Sequence, residues 1–179
     1  MLTKILIVLA AAIGVFLIIV ATRPADFRIT RSATFAAPPA AIFAQVNDFH
    51  LWEAWSPWAK LDPAAKNSFA GPASGAGSKF AWTGNNEVGE GRMEITESRP
   101  DSRILINLDF IKPFQASNLT EFTFTPQGDQ TVIQWTMSGK NNFMAKAVSL
   151  FMDCDKMVGG QFEQGLANMK SIVEKPSNR

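Results

Sequence analysis

The sequence predicts an α+β domain behind an apolar amino-terminal helix, with a curved antiparallel sheet wrapped round one long carboxy-terminal helix. Three observations predict it. Residues 5–21 carry no charge, and strand-like runs with only short turn signals between them fill residues 79–138. From Asn142 onward, apolar residues recur at spacings of three and four, the period of a helix with one buried face. A chain of 179 residues holds one domain with a sizeable core rather than two.

Ile5–Ala21 lies between Lys4 and Arg23-Pro24. A bilayer core takes about 20 helical residues, with about 17 as the lower limit, which the run meets. Its end, Ile19-Val20-Ala21, makes a poor signal cleavage site, because Ile19 is bulky where a small residue is needed. A core helix is disfavoured, since no polar face exists to turn outward. Residues 1–24 are therefore expected to be a single-pass membrane anchor, with membrane contact through 5–21. Cleavage would instead leave a secreted or periplasmic domain. Lys4 on one flank and Arg23 and Arg28 on the other are too evenly matched for the positive-inside rule to set the sidedness.

Residues 25–175 form the predicted domain. Phe27–Phe35 alternates with period two, a strand pattern in which Arg31 falls in the apolar phase and so must lie at an edge or be paired. Pro38-Pro39 opens a short helix to Val46, with proline tolerated in the first turn. Asn47 or Asp48 caps a second one to Trp55, which Pro57 stops. Lys60–Ser78, rich in Pro, Gly, Ala and Ser, reads as a long loop. Lys79–Thr83, Val88–Ser98, Arg103–Ile111, Asn118–Thr125 and Thr131–Ser138 read as an antiparallel meander, with Glu94, Asn107 and Asp109 out of phase with its apolar face. A final helix of about thirty residues from Asn142 would reach ~45 Å. Gly159-Gly160 in its middle costs ~1 kcal/mol per glycine relative to alanine. The helix must bend there, or another backbone or a ligand must come close.

Composition excludes more than it assigns. Seventeen basic and sixteen acidic residues are spread along the chain, leaving no concentrated basic face for nucleic acid. There is no tyrosine, one histidine (His50) and one cysteine (Cys154) against 14 phenylalanines. No zinc, triad or nucleophile-elbow motif occurs, and the glycine-rich stretch before Lys79 lacks the phosphate-loop order. No metal or cofactor is expected. A chain poor in proton carriers and rich in large apolar groups is better suited to holding something greasy than to acid–base chemistry.

Several motifs together resemble one family. They are Ala37-Pro38-Pro39, Trp52-x-x-Trp55-Ser56-Pro57-Trp58, Leu61-Asp62-Pro63, Gly71-Pro72, Trp82-x-Gly84-Asn85, Val88-Gly89-x-Gly91-x-Met93 and the helical stretch Phe151–Gly159. The chain resembles the START-like (SRPBCC) superfamily, and within it the polyketide cyclase/dehydrase and lipid-transport family in versions with an amino-terminal membrane segment. The resemblance implies a helix-grip fold whose sheet and last helix enclose a cavity, with the short helices closing one end.

The expected cavity lining is Trp52, Trp55, Trp82, Met93, Phe110, Phe124, Trp135, Phe151 and Phe162, with Asn85 as a polar contact beside a turn. The expected partner is a hydrophobic small molecule (lipid, polyketide-like or isoprenoid), bound without catalysis. A cyclase or dehydratase reading would draw on Glu94, Asp109, Asn85 and His50. An interaction-module reading would need Trp52, Trp55 and Trp58 to form an exposed patch.

Overall fold

Strands β1 (Asp26–Phe35), β2 (Lys66–Ala70), β3 (Lys79–Thr83), β4 (Glu90–Arg99), β5 (Arg103–Lys112), β6 (Ala116–Gln127) and β7 (Gln130–Lys140) form one sheet. All neighbours are antiparallel, in the order β1-β7-β6-β5-β4-β3-β2. The computed structural model describes residues 1–175. Helix α1 (Leu2–Thr22) precedes the sheet, and α2 (Pro39–Asn47) and α3 (Trp52–Trp55) lie between β1 and β2. Helices α4 (Phe143–Val148) and α5 (Cys154–Val173) follow β7, giving a helix-grip α+β fold.

Alternation sets the two faces. The inward residues of β4 to β7, among them Ile95, Ile104, Ile106, Phe122, Ile133 and Trp135, are buried, and the buried face of α5 (Phe162, Leu166, Met169) packs over them. Arg31 does fall on that inner face, opposite Trp135 in β7. It lies on an edge strand and is paired: its Nη2 donates to Asp155 Oδ2 at 2.9 Å and its Nε to Glu163 Oε1 at 2.7 Å, fastening α5 to β1.

Three expectations differ from the structure. The predicted loop 60–78 contains β2, a five-residue edge strand whose side chains are all exposed, so no alternation marks it. The single long final helix is two helices. Asn142 caps α4 by accepting from Ala145 N at 2.8 Å, and Asp153 caps α5 by accepting from Lys156 N at 3.0 Å. The apolar spacing runs across the break because Val148 and Phe151 are apolar without being core; Phe151 is 79% exposed. The helix expected up to Trp55 begins as a 3-10 turn, Phe49–Leu51, whose cap is Asp48.

At Gly159, what comes close is a side chain. A Cβ there would fall on the Arg31 guanidinium, whereas one at Gly160 would meet nothing within 4 Å. The two glycines therefore separate in mutagenesis. Gly160→Ala is expected to stabilise by up to about 1 kcal/mol through helix propensity. Gly159→Ala should lose that gain, because the displaced Arg31 gives up its hydrogen bonds to Asp155 and Glu163. Chemical denaturation of both variants checks this; equal shifts of the same sign would refute it.

Candidate functional site

Helix α5 begins level with the middle of β1, where Asp155 meets Arg31, and runs toward the end of that strand: Lys170 Nζ donates to Thr34 O at 2.8 Å and Ala36 N to Glu174 Oε1 at 2.5 Å. It therefore covers only the distal half of the concave face, the half farther from α1.

The distal half is filled. Trp135 stacks on Phe162 with centroids 4.1 Å apart and planes 7° apart, and it packs against Phe122 at 4.8 Å and Trp55 at 5.7 Å. Trp52 and Trp55 sit 4.6 Å apart, and their indole N–H groups donate to Val46 O and Gln45 O at 3.0 and 3.1 Å. Five of the expected lining residues, Trp52, Trp55, Phe124, Trp135 and Phe162, are all at most 7% exposed and pack against the other core residues here. The tryptophan cluster is a plug between α3, α5 and the sheet, with Trp58 partly buried at its margin, and not the exposed patch an interaction module would need. The reason is geometric: Gly165 gives Trp135 room beside α5, since a Cβ there would lie 3.0 Å from Trp135 Cζ3.

The proximal half, beyond the start of α5, is only partly covered. Phe27, Phe80, Met93 and Leu108 flank the core on the inner face, only partly buried. One row further out lie Trp82 and Phe110, half-buried, with ring centroids 6.1 Å apart. Gly91 separates them in the register, and a Cβ there would collide with the indole, so the glycine lets Trp82 lie across β4. Trp82 Nε1 donates to Val88 O at 2.9 Å, which fixes the ring. Asn118 lies in the row of Met93 and Leu108, pairing with Gly139, and its Oδ1 is buried without a hydrogen-bond partner; Trp135 Nε1 is a second buried atom left unpartnered on this face. An unsatisfied buried polar atom costs about 1–3 kcal/mol. Of the expected residues, Trp82, Met93 and Phe110 belong to this open half. Phe27, Phe80, Leu108 and Asn118 join them. The signal for Asn118 is its phase, which it shares with Phe122 and Phe124 in β6.

Asn85 lies in a surface pocket of about 380 Å³ between the β3–β4 and β5–β6 loops. Its side chain serves the turn: Oδ1 accepts from Glu87 N at 2.8 Å, while Asp62 Oδ2 accepts from Asn85 N at 2.7 Å. Phe151 lies outside the sheet–helix layer, stacked on Phe16 of α1 at 6.4 Å. Glu94 and Asp109 belong to the convex face, where Glu94 pairs with Lys79 at 3.4 Å and Asp109 with Arg92 at 3.0 Å. The hydrogen bond from Ser117 and then the Arg92 partner hold the Asp109 carboxyl below its ordinary range, which keeps it charged. His50 Nδ1 lies 2.7 Å from Asp48 Oδ1, and its ring stacks at 4.1 Å on Phe69, which in turn packs on Phe80 at 5.3 Å. Among the described residues, no group of three His, Cys, Asp or Glu side chains could hold a metal ion.

Residues 26–174 match the family model described as polyketide cyclase / dehydrase and lipid transport. The chain belongs to that family. No curated protein matches it. Solved structures share the fold at low identity. Protein MLL2253 from Mesorhizobium loti has a TM-score of 0.63 at 16% identity, over 84% of this chain and 99% of that one. Protein CV1439 from Chromobacterium violaceum scores 0.59 at 15% identity, over 86% and 100%. The Aha1 dimer from Colwellia psychrerythraea scores 0.59 at 15% identity, over 85% and 99%. Membership in this family is consistent with hydrophobic ligand binding.

Proposed function

We propose that this domain, tethered to a membrane by α1, binds the apolar part of a lipid-like molecule on the open half of its concave face and performs no chemistry on it. The observation that carries this reading is the half-coverage by α5, which leaves Phe27, Phe80, Trp82, Met93, Leu108 and Phe110 as one contiguous apolar surface beside an unpartnered Asn118 Oδ1. Monomeric proteins seldom leave such a concave apolar surface without a use for it. The non-catalytic part is supported by the carboxylates: Glu94 and Asp109, the best proton carriers for a cyclase, lie on the opposite face in ion pairs.

The test is binding of a fluorescent long-chain fatty acid to the full chain in nanodiscs, alongside native mass spectrometry of protein drawn from its own membrane. Saturable binding and a co-purified lipid mass are expected. Leu108→Glu, a substitution at a partly buried position, should weaken binding at least about tenfold, or about 1.4 kcal/mol. A clean apo mass with no saturable binding would refute the reading.

A further inference from the structure

The register of the sheet gathers several exposed apolar side chains at one end. Helix α1 ends at Thr22 and β1 starts at Asp26, which pairs with Lys140 at the close of β7. The start of β6 and the close of β5 lie at the same end, through Asn118 opposite Gly139 and Phe110 opposite Ala116. The β5–β6 loop and the β7–α4 connection therefore both project toward α1. At their tips Phe114 is 63% exposed, Phe143 50% and Met144 55%; Phe151 and Met152, after α4, are 79% and 48% exposed. These are costly groups to hold in water, and nothing in the core requires them there.

Their relation to α1 indicates what covers them. Phe151 stacks on Phe16, five residues before the end of the uncharged run at Ala21. At 1.5 Å per residue that is about 8 Å inside the polar boundary of a spanning helix. Amphipathic segments lying in a bilayer surface bury their apolar face by about 5–10 Å, so the two depths agree. Lys112, Lys140 and Lys156 are exposed around the same rim, and Lys146 is partly so. Of the acidic groups nearby, Asp153 caps α5, Asp155 pairs with Arg31 and Glu90 pairs with Lys112, while exposed Asp26 lies opposite Lys140 in the register.

We infer that this rim, Phe114 together with Phe143, Met144, Phe151 and Met152, is embedded in the interface of an anionic bilayer beside α1, so that the open concave half faces the acyl chains rather than water. The inference rests on α1 being a membrane anchor, as proposed above, and adds a second contact that a tether alone does not require. Helix α1 already packs on the domain through fully buried Val20 and through Phe16; an embedded rim adds a second attachment to the bilayer and gives a lipid a dry path onto Phe110 and Leu108.

Depth measurement tests it. Single cysteines are introduced in the full chain, in a Cys154→Ser background, by Ile13→Cys, Phe114→Cys, Gln127→Cys or Phe151→Cys. Each is labelled with the fluorophore NBD, and the protein is reconstituted in nanodiscs of equal parts phosphatidylcholine and phosphatidylglycerol. Positions 114 and 151 are more than half exposed, so the labels displace no core group. Labels at both are expected to emit blue-shifted and to lose roughly half their intensity to lipid-borne doxyl quenchers, as the label in α1 does. The label at position 127, at the far end of the sheet, should be unaffected. If position 13 is quenched while 114 or 151 reports water, the anchor stands and the embedded rim is refuted. If position 13 also reports water, both fall.

Discussion

Trp135→Ala is expected to destabilise the domain by about 3–5 kcal/mol, the range for removing a fully buried aromatic from a close-packed core. Trp135 is 2% exposed and touches Phe122, Phe162 and all three tryptophans of the α3 region, so its loss opens a void bounded by rings that cannot easily collapse. For a domain of this size each kcal/mol shifts the melting temperature by about 2–4 °C, so a fall on the order of 10 °C should be seen. Trp135→Phe provides the control. It removes the unpartnered Nε1 while keeping part of the stacked surface, and it should cost clearly less than the alanine variant because it leaves a smaller void. Urea unfolding followed by far-ultraviolet dichroism measures both, with an unchanged slope as the check on two-state behaviour. A cost below about 1 kcal/mol for the alanine variant would mean that the distal half is not close-packed.

The second large effect concerns α1. Leu9 and Ile13 lie near its centre and are 53% and 58% exposed, so replacing them leaves the domain core untouched. Each apolar residue there favours insertion by about 0.3–0.6 kcal/mol, whereas arginine opposes it by about 2.5–3.5 kcal/mol. The double variant Leu9→Arg/Ile13→Arg should therefore leave the carbonate-resistant membrane fraction while keeping its folded-domain melting behaviour. The unaltered chain should remain in that fraction with its intact mass. A mature mass beginning after Ala21 would instead identify the segment as a cleaved signal.

How far the sequence foretells this structure depends on what each residue's period is for. The meander is legible because Phe122, Phe124 and Trp135 alternate with polar neighbours on a sheet buried on one side. Arg31 is legible too: a charge in an apolar phase demands a partner, and Asp155 and Glu163 supply it. By contrast, β2 has no buried face, so it offers no pattern. The helix break is hidden because Val148 and Phe151 continue an apolar spacing whose purpose is not burial in the domain. Of the candidate site, the apolar identity of Trp82, Met93 and Phe110 can be read along the chain. Which half of the sheet stays open cannot, because that follows from the level at which α5 starts, and this is set by Asp153 and by the ion pairs of Arg31.

Helix α5 is fastened by two unlike chemistries. Toward its carboxy-terminal half, stacked rings and buried Leu166 and Met169 hold it; at its start, the attachment is mainly solvent-screened ion pairs, which contribute little. Cohesion therefore declines along the helix toward the end that borders the open surface. Fraying of the first turns is the cheapest excursion this helix can make, and each such event bares more of the neighbouring apolar surface without loosening the aromatic plug behind it.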